Sequence, residues 1–299
     1  MASVADTTAV VPPRRKRGPV LHFLGRLFRE KPLGAAGAVV FVLFLFCGIF
    51  ADALAPYGMN QIAPLNRLKP PSWAFPFGTD NLGRDMLSRC LYGAQLSVII
   101  GFCAAGIATI ISVLLGIISG YLGGKFDLVL QRFVDAWMSF PDLIILIVVV
   151  SVVGPGMPQI IVTLGLLLGI AGSRIIRGAV VSVRENMYVH AAQSTGASTF
   201  RILWRHILPN VMAPVIVLFT TRVGTVILAE SGLSFLGLGV PPPAPTWGGL
   251  LSGSGRTFML QGPWLALAPG LCLTIVVYAT NMFGDALRDL LDPRMRGSR

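Results

Sequence analysis

LSVIIGFCAAGIATIISVLLGIISGYL, residues 96–122, decides the fold class. The stretch contains no Asp, Glu, Lys or Arg, and it is longer than the ~20 apolar residues a helix needs to cross a bilayer. Working outward, five more stretches of similar character lie at 33–54, 133–153, 160–181, 213–236 and 264–287. The first starts too far from the N-terminus and runs too long for a signal-peptide core, and is expected to be a permanent span. The pattern predicts an all-α integral membrane protein with six transmembrane helices.

Composition agrees. Of 299 residues, 54% are hydrophobic and 12% charged, about half the ~25% charge of a soluble domain; the mean hydropathy is +0.73. A water-soluble enzyme, a disordered chain and a nucleic-acid-binding module are excluded, despite a net charge of +11. Cys47, Cys103 and Cys272 fall inside apolar runs and Cys90 just before one, with no CxxC pair, so they read as small buried hydrophobes. His22, His190 and His206 are too scattered for a metal site.

Lys and Arg set the orientation. Arg14, Arg15, Lys16, Arg17, Arg26, Arg29 and Lys31 precede the first span, and Lys125 and Arg132 follow the second. Arg174, Arg177, Arg184, Arg201 and Arg205 lie between the fourth and fifth, and Arg288, Arg294, Arg296 and Arg299 after the sixth. The opposite side holds only Arg67, Lys69, Arg84, Arg89 and Arg256. Both termini are expected in the cytoplasm, and the basicity is this topology signal. The expected organisation is a cytoplasmic tail with an interfacial amphipathic helix (1–32), the first span (33–54), an extracytoplasmic loop (55–95), a five-helix core (96–287) and a cytoplasmic tail (288–299). The interfacial helix rests on Val20, Leu24, Leu27 and Phe28 at helical spacing beside basic residues.

Small residues recur every fourth position at Ser112, Gly116, Gly120 and Gly124 and again at Gly165, Gly169 and Ser173, ridges that let helix backbones approach closely in lipid. Pro141, flanked by Asp135 and Asp142, predicts a polar, kinked third span. The longest cytoplasmic connection is ENMYVHAAQSTGASTFRILWRHILPN, residues 185–210. It reads as two short helices broken at Gly196, with Ser198 capping the second and Pro209 ending or kinking it. On that second helix Phe200, Leu203 and Ile207 form one face and Arg201 and Arg205 another, behind the small residues Ala191, Ala192, Ser194 and Thr195. A small turn followed by an amphipathic helix is a shape that fits a partner's groove.

The spacing of Ala191, Ala192, Gly196, Leu208 and Pro209 resembles the EAA loop of ABC-importer permeases, with His190 where the family has its leading Glu. Three more blocks are similar to the dipeptide/oligopeptide branch: FGTDNLGRDMLSRCLYGAQLSVIIG (77–101), LSFLGLGVPPPAPTWGGLL (233–251) and NMFGDALRDLLDPR (281–294). The resemblance implies a type I importer (MetI-like) fold in a bacterial cytoplasmic membrane. It further implies a peptide-importing permease, paired as a heterodimer with a second homologous permease. Two ABC ATPases, which bind the ATP and Mg, and an extracytoplasmic peptide-binding protein complete the assembly. In that family the loop, here 184–210 with His190, Ala191, Ala192, Gly196, Ala197, Ser198, Arg201, Arg205, Leu208 and Pro209, docks into an ATPase cleft. This chain has no GxxxxGK[ST] phosphate loop, since Phe126 follows Gly123-Gly124-Lys125, and no HExxH. No enzymatic activity, cofactor or nucleic-acid partner is expected of it. Other cargoes (glutathione, nickel, a small sugar) and a self-sufficient secondary transporter are the alternative readings.

Arg222 and Glu230 lie inside the fifth apolar run, where burying a charge costs roughly 2.5–3.5 kcal/mol. They would line a pathway or pair with the second permease, or Arg222 would snorkel to the interface. In the outer loop, Pro64, Pro70, Pro71 and Pro76 precede Thr79-Asp80, a potential cap for a helix running through Arg84, Asp85 and Arg89. This loop and the proline-rich 240–247 stretch, with Pro242 and Trp247, are candidate contacts for the binding protein or a neighbouring subunit.

Overall fold

The computed structural model of the chain describes residues 19–291. The basic tail up to residue 18 and the end of the C-terminal tail from 292, with Arg14 to Arg17, Arg294, Arg296 and Arg299, lie outside the described residues.

Two helices open the chain, α1 (Pro19–Glu30) and α2 (Pro32–Ile49), with Lys31 between them and Pro32 in the first turn of α2, where a missing N–H costs nothing. After the outer loop come α3 (Met86–Leu122), α4 (Gly124–Met138), α5 (Asp142–Val153) and α6 (Met157–Arg184). The connection after α6 holds α7 (Met187–Ser194) and α8 (Thr199–Ile202), followed by α9 (Met212–Phe235), α10 (Trp247–Leu250) and α11 (Trp264–Leu291). Five helices are long and apolar enough to cross a membrane, six if α4 and α5 together form one span.

Two expectations change in detail. Helix α3 starts at Met86, inside the stretch expected to be loop as far as 95, because Asp85 caps it: its carboxylate accepts from the Ser88 N–H at 2.8 Å. Hydropathy misses this first turn because it carries Ser88 and Arg89. The third span is two helices bent by 81° at residues 139–141. Pro141 disfavours the helical conformation at the residue before it, and itself takes an extended ψ of 126°. Alone, the 12 residues of α5 rise about 18 Å, short of a ~30 Å core.

The ridges of small residues meet as expected. Helices α3 and α6 run parallel, Ile107 packing on Gly165, Ile111 on Gly169 and Gly116 on Ile176. A Cβ on Gly116 would lie 2.7 Å from the Ser173 carbonyl, and Ser112 Oγ donates to the Gly169 carbonyl at 2.8 Å. Gly124 is not part of the ridge; it is the first residue of α4, with open space around it. Helix α9 crosses the middle of α3, Gly101 meeting Ile227, and packs through Gly224 on Thr280 of α11. Helix α2 closes the bundle between α3 and α11, with Gly37 on Ala279 and Phe41 stacked on Phe102. Leu27 of α1 is buried with Ala35, Ala286 and Leu290, while Leu24 and Phe28 face out. Lys31 pairs with Asp289 at 2.5 Å, so both described chain ends share one end of the bundle. That is also the end bearing the 185–211 connection. Outward faces carry Val42, Ile110, Leu114, Val148 and Ile275, as a surface solvated by lipid requires.

Candidate functional site

The 185–211 connection is bolted to its end of the bundle by apolar residues. Val189, Ile202, Ile207 and Val211 are fully buried against Ile117 of α3 and Ile176 and Val180 of α6. Gln193 Nε2 donates to the Tyr121 hydroxyl at 3.3 Å. After α7, Gly196 takes φ +77°, a left-handed turn that glycine enters without penalty. The Ala197 N–H then closes the turn onto the Ala192 carbonyl at 3.1 Å. Ser198 starts α8 by accepting from the Arg201 N–H at 3.4 Å.

Pro209 does not end the helical path, as the sequence allowed. The backbone widens to a π turn over Leu203–Ile207, tightens to a 3-10 turn over Leu208–Val211, and runs straight into α9. The proline lacks the N–H that an α-helix would need there, and the change of winding absorbs it. The connection is therefore mechanically continuous with a membrane-crossing helix.

The expected apolar face also divides differently. Ile207 is buried and Leu203 half-buried, but Phe200 is 76% exposed and stacks on Trp204, itself 67% exposed, at 6.4 Å between ring centres. The inward anchor missed in the sequence is Ile202; the wider π turn lying between them brings Ile202 to the side of Ile207, where a 3.6-residue wheel would place Phe200 and Leu203. His190, Ala191, Ser198, Arg201, Arg205 and Pro209 are exposed, whereas Ala192, Ala197 and Leu208 are half-buried. Exposed aromatic rings beside two arginines make a surface suited to a partner rather than to water.

Behind this surface, ion pairs tie α3, α4 and α6 together. Asp127 accepts from Arg177 Nε at 2.6 Å and from Ser119, and Asp135 pairs with Arg174 and, at 3.1 Å, with Arg132. Arg184 caps the end of α3 by donating to the Tyr121 carbonyl at 3.2 Å. The sequence drew no attention to Asp127; its i+8 relation to Asp135, both facing α6, is the signal that would have found it.

The two charges of the fifth span are not brought together. Arg222 is half-buried beside Gly172 of α6, with Asp142 the acid acting on it. Glu230 is 1% exposed and ringed by hydroxyls: Ser234 donates to it at 2.6 Å, Ser231 at 3.4 Å, and Thr246 is the third. In this conformation Glu230 ties α9 to α10 inside the subunit, where Gly248 packs directly on Ser231.

The far end corrects several contact assignments. Asp80 does not cap a helix with Thr79. It is fully buried, accepting from the Leu82 N–H at 2.8 Å, the Arg84 N–H at 2.9 Å and Arg84 Nε at 2.6 Å, and so pins a turn five residues short of α3. Thr79 instead bonds Lys69 and Asn66. Asp85 is buried as the α3 cap. Trp247 is 2% exposed, packed on Phe44 and donating to the Cys90 carbonyl at 3.0 Å. These three are interior struts, each turned inward by a hydrogen bond its polar group needs. Of the far-end candidates, Pro242 is exposed and Arg84 half-buried.

Residues 112–297 match a family model described as binding-protein-dependent transport system inner membrane component, and residues 25–71 match the N-terminal TM domain of oligopeptide transport permease C. The chain is 39% identical over 268 residues to the dipeptide transport system permease protein DppC of Alkalihalophilus pseudofirmus, covering 90% of this chain and 88% of that protein. It is 37% identical over 296 residues to the glutathione transport system permease protein GsiD of Shigella boydii, covering 99% and 97%. The fold is similar to a chain of the MetNI methionine ABC transporter in inward-facing conformations, with a TM-score of 0.58 at 17% identity over 69% of this chain and 98% of that one.

Proposed function

Because this chain belongs to the binding-protein-dependent transport system inner membrane components, we propose that it is one permease subunit of an ATP-driven importer of di- and oligopeptides in a bacterial cytoplasmic membrane. The relative named for dipeptide transport, similar over nearly the whole length, supports the cargo. In this reading the 185–211 connection and both termini are cytoplasmic, in keeping with the excess of Lys and Arg there. A second, homologous permease pairs with this one. Two ATPase subunits bind and hydrolyse ATP with Mg, and an extracytoplasmic binding protein delivers the peptide.

The carrying observation is the continuity of the exposed Phe200–Trp204 surface with α9 through an unbroken helical path. An ATPase cleft gripping that surface moves α9 directly, while Val189, Ile202 and Ile207 couple the same push to α3 and α6. Closure of the two ATPases then rocks the helices as rigid bodies and exposes the pathway to one side at a time. Arg222, between α9, α6 and the bent α4–α5 pair, is the charge best placed to line that pathway.

The test is co-expression with the ATPase and permease partners, then pull-down and peptide-stimulated ATP hydrolysis for the wild type and Gly196→Asp. Lost docking or lost stimulation with the bundle still folded is the expected outcome. Unchanged association and stimulation would overturn the assignment. The similarity to GsiD favours one alternative cargo, the γ-linked tripeptide glutathione. Melting shifts of the cognate binding protein with glutathione and with α-linked tripeptides separate the two.

A further inference from the structure

At the end of the bundle opposite the 185–211 connection, a cavity of about 470 Å³ opens between the 81–89 turn, the prolines 241–243 and the segment 249–258. That is within the size range of small-ligand pockets. Its charge is unbalanced. Arg84 and Arg89 both line it, and guanidinium groups do not deprotonate in proteins. The acid facing both is Asp80, which binds Arg84 Nε at 2.6 Å and stands 3.9 Å from Arg89 Nε. Asp85, the neighbouring acid, is turned to the first turn of α3 and to Ser88.

Arg89 is the unusual member. It is 5% exposed, and among the described residues its Nε has no hydrogen-bond partner while its Nη1 donates to the Met59 carbonyl at 3.3 Å. A buried guanidinium left this poorly bonded is costly unless an acceptor arrives. Arg84 commits its Nε to Asp80 and keeps its outer fork, the geometry that grips a carboxylate in two parallel bonds. Prolines 241–243 line the same cavity; they offer carbonyl acceptors and no N–H donors, and of these the Pro243 carbonyl already faces the Asn60 amide.

We infer that this cavity binds the free α-carboxylate of a short peptide, gripped by Arg84 and Arg89, with the peptide's own N–H groups turned to the proline carbonyls. The inference rests on the reading of the chain as a peptide importer and names where one end of the cargo is held on the extracytoplasmic side. Its test uses no ATPase, so its failure is distinct from a failure of coupling.

The full-length chain in lipid nanodiscs is titrated with Ala-Ala, with the C-terminal amide of Ala-Ala, and with acetate, binding being followed by ligand-observed NMR. Ala-Ala is expected to bind, acetate to compete with it, and the amide to bind about ten-fold or more weakly. Arg84→Gln is expected to weaken Ala-Ala by a similar factor and to erase the preference for acid over amide, while Arg84→Lys retains part of it. Equal binding of acid and amide overturns the inference, as does Ala-Ala binding that Arg84→Gln leaves intact, or no Ala-Ala binding at millimolar concentration. Acetate binding without Ala-Ala binding also overturns it, and assigns the arginines to a carboxylate side chain of a partner protein.

Discussion

The two ends of the bundle are built on opposite plans. At the end bearing the 185–211 connection the anchors are apolar, Val189, Ile202 and Ile207, and the aromatic rings of Phe200 and Trp204 stand outside. At the far end the anchors are polar, Asp80, Asp85 and Glu230, and the aromatic Trp247 is locked inside. The difference follows from what each end has to satisfy. The first is a run of helical turns whose backbone bonds are made internally, so apolar side-chain burial, with the Gln193–Tyr121 hydrogen bond beside it, attaches it to the bundle. The second is mostly irregular chain whose N–H groups need acceptors, and buried carboxylates and hydroxyls supply them. An apolar attachment transmits force through packing, and a polar one holds a shaped surface in place.

Four substitutions would break or sharpen that contrast. The largest effect is expected at the far end. Asp80→Ala removes three hydrogen bonds and leaves two arginines without their facing acid, for a loss of about 3–5 kcal/mol, readable by denaturant titration in detergent micelles. Ile207→Ala tests the apolar attachment and should cost about 2–5 kcal/mol, with coupling to ATP hydrolysis weakened in step; full stability would show that the connection is held by something else. Gly116→Val pushes a side chain into the Ser173 carbonyl and Ile176, with an expected loss of about 1–3 kcal/mol and no preference for either end. Smallest in stability is Trp204→Ser, expected to stay within about 0.5 kcal/mol of wild type while ATPase stimulation falls. If stimulation survives, the exposed aromatic pair is not the docking surface.

Much of the molecule was legible beforehand because lipid imposes simple rules. Charge-free length marks the spans, and small residues at four-residue spacing mark where helices touch, as Gly116 against Ile176 bears out. The 185–211 connection was legible as a unit, with its Gly196 turn and Ser198 cap, because both depend on local backbone chemistry. The outward face of that loop was not. Assigning Phe200 to the face of Ile207 assumed regular winding between them, and the π turn over Leu203–Ile207 broke that assumption. The far end was hardest. Asp80 and Trp247 look like surface contacts in a polar loop, and only their partners Arg84 and the Cys90 carbonyl turn them into interior struts.

Amino-acid order by itself determined the helical class, the number of apolar segments, the small-residue seam and the family, because each is written in composition or in spacing along one segment. Tertiary structure alone decided which loop side chains stand exposed, that Glu230 is enclosed by hydroxyls, and that Arg84 and Arg89 converge on one cavity. Those outcomes depend on groups far apart in the chain meeting at a few ångströms, and no local periodicity encodes such a meeting.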